Sequence, residues 1–296
     1  MENITLDSSL VAALEKTRKK ALVSFVLFTI VASLVGFSGF ALILIGAIGD
    51  FSARYIQGLL VGAGAFLFLF ATPAFVFGAI KAKRRYHKEF EDHFCPLFAQ
   101  GHYDEFHFSF AKSLSDIEKM VSLPLAEKPD DEELSFYEGK VKGLSFFSFA
   151  YERMKAGKGH PDSADGRYIE LRLATPRNYE VLLSAKKSKK MLKVGPLPVH
   201  FESESIAFNE RYDISASSHQ DALTLITPAF IDSVNLLSED YGGKLSLYLK
   251  EDKVVLYFDD YPSLELSLAK PITAEMLTAF QKEVLLPAAV IKALHL

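Results

Sequence analysis

Two long uncharged apolar runs dominate the first part of the chain. They cover Ala21–Gly49 and Tyr55–Ile80, and the only charges between Ala21 and Ile80 are Asp50 and Arg54. Roughly 20 apolar residues in an α-helix cross the hydrocarbon of a bilayer, so each run is long enough to span it. Because the connection is short, the two helices must be antiparallel neighbours. The pattern therefore predicts a transmembrane helical hairpin over residues 21–80.

Two other interpretations of these runs fit less well. Helices buried in a soluble core rarely lack a charged face. A cleaved signal peptide has an apolar region of about 7–15 residues, and here a second apolar run follows the first.

From Lys81 onward the pattern alternates between polar and apolar positions. Residues 86–100 repeat apolar side chains every three or four positions, which predicts a helix. From about Phe136 the period becomes two, which predicts strands. These are expected over Phe146–Met154, Tyr168–Ala174 and Tyr179–Ser184, with a Gly- and Asp-rich loop at 156–167.

The remaining signals predict short helices and further strands. Ser115 and Glu118 form a capping-box pattern, and Thr227-Pro228 and Thr273 are typical helix starts. The other predictions are an extended segment at Phe201–Tyr212, a helix end at Gly242-Gly243, a hairpin from Leu245–Leu249 into Val254–Phe258, a strand through Leu264, Leu266 and Leu268, and a last helix interrupted at Pro287.

The fold class predicted from this order of elements is α+β. A two-helix transmembrane hairpin precedes an antiparallel-sheet domain with helices over one face, an order also compatible with a pleckstrin-homology-like domain. The predicted divisions are an N-terminal tail at 1–20, the hairpin at 21–80, a juxtamembrane helix at 81–100 and a cytoplasmic domain at 101–296.

Composition and charge exclude several classes of protein. The chain has 296 residues, 49% of them hydrophobic, and a net charge of −4. Residues 81–296 carry 28 basic and 33 acidic side chains, a net charge of −5, so no general attraction for nucleic acid is expected. The single cysteine, Cys95, cannot form an internal disulfide, which agrees with a reducing compartment.

Basic residues flank the two runs asymmetrically. Four precede the first run and five follow the second, whereas the connecting loop has only Arg54. By the positive-inside rule this places both termini in the cytoplasm. The nine residues are Lys16, Arg18, Lys19, Lys20, Lys81, Lys83, Arg84, Arg85 and Lys88.

One block of the soluble part resembles a known family. The run ESESIAFNERYDISASSHQDALTLITPAFI at 202–231 is similar to the signature of DUF3137, a bacterial family of unknown function, and FYEGKVKGLSFFSFAYE at 136–152 resembles its upstream strand pair. The residues that carry the resemblance are Glu204, Phe208, Asn209, Tyr212, Ala222, Ile226, Thr227, Pro228 and Phe230.

The resemblance implies two N-terminal spans before a cytoplasmic domain, in the inner (plasma) membrane of a bacterium. It supplies no catalytic residues. The block also has a plain structural interpretation: Thr227-Pro228 starts a helix, Phe208 and Tyr212 fill the core, and Asn209 or Arg211 lies at a turn.

Two sets of residues are candidates for contacts in or near the bilayer. Gly58 and Gly62 form a GxxxG pattern that would allow close helix packing. Basic clusters near the inner leaflet would attract anionic lipid headgroups, with a solvated hairpin tip as the alternative for residues 186–193. The candidate lipid contacts are Lys81, Lys83, Arg84, Arg85, Lys88, Lys186, Lys187, Lys189, Lys190 and Lys193.

The sequence offers no assembled chemistry. In HKEFEDHFC, His87 and Glu91 share one helix face and Glu89 and His93 another, so these pairs do not converge on a metal with Cys95 or His102. Nucleophile-elbow, P-loop and dinucleotide motifs are absent from the sequence, and we predict no catalytic, cofactor or metal residues.

The function predicted is therefore a non-enzymatic, membrane-anchored interaction or scaffolding protein, with the lipid bilayer and an unknown protein as its partners. One alternative is an enzyme of an unrecognised class with dispersed catalytic residues. The other is a subunit of an oligomeric pore or transporter.

Overall fold

The structure is a computed structural model, and its described residues fall into two compact units. One unit comprises Met1–Phe94 with Leu266–Leu277, and the other comprises Cys95–Glu265 with Thr278–Leu296. The residues described are 8–49, 54–112, 114–122, 134–151, 166–186, 194–242, 244–259, 261 and 266–295.

The first unit contains two long antiparallel helical segments. Helix α1 spans Ser8–Ile48, and the second segment runs through α2 (Arg54–Phe66), a π-helical turn (Leu67–Ala71) and α3 (Thr72–Glu89). The helices predicted over residues 21–49 and 55–80 are confirmed. Helix α1 begins earlier than predicted, at Ser8, so the charged residues before Ala21 belong to the same helix.

Glycine allows the two segments to approach closely. A Cβ on Gly64 would lie 2.5 Å from the carbonyl oxygen of Gly39, and one on Gly46 would lie 2.7 Å from the side chain of Val61. A Cβ on Gly58 or Gly62 would meet nothing within 4 Å. Gly58 and Gly62 therefore take no part in packing within the hairpin, and any helix contact they make with another chain stays a prediction.

The π-helical turn lies just before Thr72-Pro73, at the start of α3. The backbone N–H of Thr72 bonds to the carbonyl oxygen of Leu67, five residues back, and the Thr72 hydroxyl donates to the same oxygen over 3.0 Å. A threonine hydroxyl and a local π adjustment are the usual means by which a helix accommodates a proline. A second π-helical turn, Phe90–Phe94, follows α3 and leads to α4 (Cys95–Ala99), as the helical periodicity of 86–100 predicted.

The second unit is built on a seven-stranded antiparallel sheet. The strands are β1 (Glu105–Lys112), β2 (Leu134–Val141), β3 (Leu144–Tyr151), β4 (Gly166–Ala185), β5 (Val199–Phe201), β6 (Tyr212–Ala216) and β7 (Lys244–Asp259). Their order is β1-β2-β3-β4-β6-β5, and β7 pairs with β4 along its other edge. The helices of this unit are α4, α5 (Leu114–Met120), α6 (Ile206–Arg211), α7 (His219–Leu225) and α8 (Pro228–Tyr241), with most of α9 (Ala274–Ala293).

The mixed helix and antiparallel-sheet class is therefore confirmed. Helices cover both faces of the sheet, and the strands present aromatic side chains on each face. On one face Ile117 of α5 joins a cluster with Phe136, Phe149 and Tyr168. On the other face, Phe280 of α9 packs edge-on against Phe108, with ring centroids 5.6 Å apart.

Several predicted elements differ from those observed. The hairpin expected at Lys250–Lys253 is wrong, because β7 runs straight on and both of its halves pair with β4. The extended segment at Phe201–Tyr212 is also wrong, since Ser205 caps the short helix α6 within it. Apolar alternation alone cannot distinguish two paired strands from two halves of one strand.

Four smaller predictions also need correction. Helix α5 begins at Leu114, one residue before Ser115, which was predicted to precede it as the cap. Residues 266–268 do not form a strand. Helix α9 continues through Pro287 to Ala293, and Arg167, expected in a loop, is a buried residue of β4. The predicted helix starts at Thr227 and Thr273 are confirmed, because both hydroxyls accept backbone N–H bonds.

Candidate functional site

The strongest candidate site is a groove of about 650 Å³ on the sheet face that α5 partly covers. Strands β1 to β4 form its floor, and Lys119 and Met120 of α5 form one side. Because the strands are antiparallel and in regular register, side chains from four strands line up in two rows across this floor.

The strand register defines the two rows. In the first, His107 pairs with Glu138, which pairs with Phe147, which pairs with Glu170. In the second, the corresponding residues are Glu105, Lys140, Ser145 and Arg172.

Glu170 is the most unusual residue of the groove because its side chain is fully buried. One carboxylate oxygen, Oε2, accepts the Tyr168 hydroxyl over 2.9 Å and the backbone N–H of Ser122 over 3.0 Å. The other oxygen, Oε1, is buried and has no hydrogen-bond partner among the residues that the structure describes. Burial, together with the Glu170 carboxylate, raises the pKa of Tyr168 well above its usual range, so this hydroxyl remains a donor.

Charged side chains of both signs surround Glu170 at the rim of the groove. Lys140 forms an ion pair with Glu105 over 2.8 Å, and both side chains are partly exposed to solvent. Arg172 is exposed, and the Phe147 ring, 7% exposed, supplies an apolar patch between the charged positions. The groove thus combines a buried acceptor, an apolar surface and a solvated rim.

The opposite face of the sheet holds a second buried charged group. Arg167 of β4 forms an ion pair with Glu283 of α9, and its guanidinium also donates to the Ser135 hydroxyl over 3.0 Å. The guanidinium lies over the Tyr137 ring, 5.0 Å from its centroid. Because helix and strand enclose this pair, it holds α9 on the sheet and is not accessible to a ligand.

The sequence interpretation missed both Glu170 and Arg167. The strand predicted over Tyr168–Ala174 does not by itself indicate that Glu170 is buried, and the loop predicted at 156–167 includes Arg167. The sequence does contain a signal for the burial of Glu170. The spacing of Phe136, Phe147 and Phe149 indicates that the sheet face on which Glu170 lies is also apolar. A charged residue in the middle of such a face is then expected to be buried.

The candidate lipid contacts fall on described and undescribed parts of the chain. On α3, Lys81, Arg84, Arg85 and Lys88 are exposed and Lys83 is half-buried. Lys186 lies 3.5 Å from Asp213 in an exposed ion pair. The other candidates, Lys187, Lys189, Lys190 and Lys193, lie outside the described residues.

Near the start of α1, a buried arginine joins the helix to a distant segment of the same unit. The Arg18 guanidinium donates to the carbonyl oxygen of Leu268 and forms a bidentate pair with Glu15, whose carboxylate also accepts the backbone N–H of Ile272 over 3.0 Å. The flanking cations Lys16, Lys19 and Lys20 remain exposed. Arg18 is thus a structural residue, although it counted among the flanking charges.

The HKEFEDHFC run does not assemble a metal site in the structure. The His87 ring nitrogen Nε2 lies 3.2 Å from the Leu266 carbonyl oxygen, and Cys95 is buried. Among the residues described, no group of three or more His, Cys, Asp or Glu side chains is placed to hold a metal ion.

In the 202–231 block, the residues of the signature build local structure. Phe208 and Tyr212 are buried and their rings contact each other. Asn209 belongs to α6, and its side chain bonds to the backbone and hydroxyl of Ser203, which fixes the turn before the helix. The structural interpretation of the block is therefore confirmed for Phe208 and Tyr212, and Asn209 acts on the turn from within the helix.

Residues 177–296 match the family model of DUF3137, described as a protein of unknown function. This part of the chain is similar to the DUF3137 family. The match contains the 202–231 block but begins after the 136–152 segment, so the predicted resemblance is confirmed over less than half of the chain. The match to DUF3137 assigns no activity to any residue.

A solved structure is similar to this chain. The structure is that of the mycobacterial trehalose monomycolate transport factor A, TtfA, with 9% identity, a TM-score of 0.35, and coverage of 64% of this chain and 88% of that chain. A match of that TM-score supports no conclusion about fold or function. Among proteins with curated descriptions, none matches this sequence.

Proposed function

We propose that this protein is anchored in a membrane by its helical hairpin. Two helical segments, Ser9–Ile48 and Arg54–Ala99, are long and apolar enough to cross a bilayer. The observation that carries the proposal is the exposure of their apolar surface. Only 11% of the most apolar stretch of the first segment, and 6% of that of the second, is buried.

Exposure of this extent argues against a soluble core helix, whose apolar side chains would be enclosed. Phe37 is 75% exposed, Ile48 is 80% exposed and Leu59 is 67% exposed. Large contiguous apolar surfaces are rare on soluble monomers, whereas lipid tails cover them at little cost.

The distribution of cations gives the hairpin its proposed orientation. Exposed cations precede the apolar part of α1 at Lys16, Lys19 and Lys20, and the exposed cations of α3 follow the second apolar run. Because the two helical segments are antiparallel, both sets of cations lie at the same end of the hairpin. The positive-inside rule then places both termini in the cytoplasm of a bacterial cell, with the hairpin as a multi-pass anchor in the inner membrane.

Single-cysteine labelling tests this topology. With Cys95 replaced by Ala, we would introduce Asn3→Cys, Ser52→Cys or Lys292→Cys and treat intact spheroplasts with a membrane-impermeant maleimide. We expect labelling of the Ser52→Cys variant alone, and labelling of all three after lysis. Labelling of the two terminal variants in intact spheroplasts would contradict the orientation, and labelling of all three would contradict membrane crossing.

The exposed cations of α3 are the proposed contacts for anionic lipid. Each cation near an anionic leaflet contributes roughly 1 kcal/mol of attraction. Replacing Lys81, Arg84, Arg85 and Lys88 by Gln in the full chain should reduce the enrichment of anionic lipid around the reconstituted protein. A matched variant with Lys142, Arg211, Lys282 and Lys292 replaced by Gln controls for net charge. Equal enrichment around both variants would contradict the contact.

The sheet unit is proposed to act as a non-enzymatic interaction module on the cytoplasmic side. The groove over β1 to β4 supports this role, because it offers a ligand both an apolar surface and a buried acceptor. Cross-linking of the full chain in native membranes, followed by mass spectrometry, tests the proposal. A reproducible protein neighbour would support it, whereas turnover of a co-purifying small molecule would contradict it in favour of an enzyme.

A further inference from the structure

Outside the helical hairpin, the structure assigns a ligand-binding role to the groove over β1 to β4: we propose that it binds an organic cation, a primary ammonium or guanidinium group carried on a short apolar stem. This inference rests on the proposed interaction role of the sheet unit and specifies its chemistry. It does not depend on the hairpin crossing a membrane.

The Glu170 side chain lies on the face of the sheet that forms the groove. Glu170 follows Tyr168 by two residues in β4 and therefore lies on the same face of the sheet. That face is the one covered by α5, since Tyr168 belongs to the same apolar cluster as Ile117 and since Ser122, just after α5, donates its N–H to the Glu170 carboxylate. The Glu170 carboxylate thus lies at the floor of the groove.

That carboxylate has unmet hydrogen-bonding capacity. Within the described part of the chain, the two donors that reach it both bond to Oε2, and the buried Oε1 has no partner. A buried polar atom without a partner is costly, so a donor that enters the groove gains the bond and removes this cost. A cationic donor gains more than a neutral one because the hydrogen bond becomes charge-assisted.

The side chains around Glu170 suit an organic cation better than a metal ion. Calcium requires six to eight oxygen ligands and magnesium near-octahedral coordination. In the described part of the chain, no three acidic, His or Cys side chains converge here or elsewhere. Phe147 and Met120 instead give the groove apolar surface beside Glu170, which suits the methylene stem of an amine.

The cation has two sources, a free amine or a lysine or arginine side chain of a partner protein. Calorimetric titration of the full chain in neutral detergent with n-butylammonium and with an acetyl-Gly-Lys-Gly-amide peptide separates them. We expect both probes to bind. Tighter binding of the peptide would indicate a protein source and tighter binding of the amine a free ligand, and either result supports the cation site.

Glu170→Gln, which keeps the size of the side chain, should weaken binding of both probes about tenfold or more. Because a change at a buried position can impair folding, Ser145→Trp provides a second variant. Ser145 is exposed in the groove, so the indole should block the probes while Glu170 stays in place. Glu210→Gln, an exposed change on α6, is the matched control and should leave binding unchanged.

Three results would overturn the inference. The first is that neither probe binds at concentrations up to about 10 mM. The second is that neutral butan-1-ol binds as tightly as n-butylammonium, and the third is that both groove variants bind the probes with unchanged affinity. Failure in this experiment leaves the cross-linking pattern of the sheet unit unaffected, so the ligand chemistry and the interaction role are tested separately.

Discussion

The hydroxyl of Tyr137 in β2 donates a hydrogen bond of 2.7 Å to the backbone carbonyl oxygen of Glu283 in α9. That carbonyl lies four residues before Pro287, which has no N–H to complete the helical bond. Burial raises the pKa of Tyr137 above its usual range, so the hydroxyl stays protonated. A side chain of the sheet therefore supplies the hydrogen bond that the helix lacks, and this explains why α9 passes through Pro287 instead of ending there.

Tyr137→Phe is expected to lower the free energy of unfolding by about 1–3 kcal/mol, because it leaves a buried carbonyl without a donor. Pro287→Ala restores a backbone N–H at that position, so the same tyrosine change should cost less in the Pro287→Ala background. Denaturant unfolding of the four proteins gives the coupling energy. Additive effects would show that the hydroxyl and the missing N–H are unrelated. The exposed Tyr55→Phe serves as the control.

Removing one member of the Arg167–Glu283 pair should destabilise the sheet unit strongly. Glu283→Gln or Arg167→Met leaves an uncompensated buried charge, for which we expect a loss of about 3–5 kcal/mol. The double variant should lose less than the sum, since neither charge remains. Lys140→Gln breaks the exposed pair with Glu105 and should cost about 1 kcal/mol or less. Similar losses at both pairs, measured by chemical unfolding, would contradict the difference in burial.

Substitution of the hairpin glycines should separate packed from unpacked positions. Gly64→Val places a side chain against the backbone of Gly39 and should destabilise the hairpin by about 1–3 kcal/mol. Gly58→Val meets no other atom within 4 Å of its Cβ and should have little effect on the isolated chain. Thermal unfolding in detergent measures both. If Gly58→Val changes the oligomeric state instead, the GxxxG face packs against a second copy.

The N-terminus of α7 should respond to pH through Asp221. The hydroxyls of Ser217 and Ser218 donate to this carboxylate and lower its pKa below the usual value. A lowered pKa in the folded state means that the charged form adds stability above the pKa of the unfolded chain, and that this stability is lost as the pH falls through the lower folded value. The stability difference between the native protein and Asp221→Asn should therefore shrink from pH 7 towards pH 2. A stability difference that stays the same at every pH would contradict a stabilising role for the Asp221 charge.

Regular periodicity made much of the architecture predictable. The apolar helices, the strands around Phe146 and Tyr179, and the helix starts at Thr227 and Thr273 follow from local patterns. The single long β7 did not, because the polar residues at its middle look like a turn. Glu251 there adopts a positive φ of 55°, and a shift in register absorbs the irregularity without reversing the chain.

The candidate site was much less predictable than the fold. The Glu170 carboxylate matters because of what lies above and beside it, namely Phe147 from one strand and Ser122 after a helix. These neighbours are brought together by strand register, which no local pattern specifies. The same holds for Arg167, whose partner Glu283 lies 116 positions away in the sequence.

The continuity of β4 determines where the protein can be divided. The family match starts at Arg177, inside a strand that begins at Gly166. A fragment expressed from Arg177 onward would leave the second half of β7 without its neighbour, because Val254–Asp259 pair with Gly166–Leu171. It would also leave Glu283 buried in an apolar interior without Arg167, its ion-pair partner. The matched segment and the folding unit thus have different borders, and only a division before Gly166 keeps β4 whole.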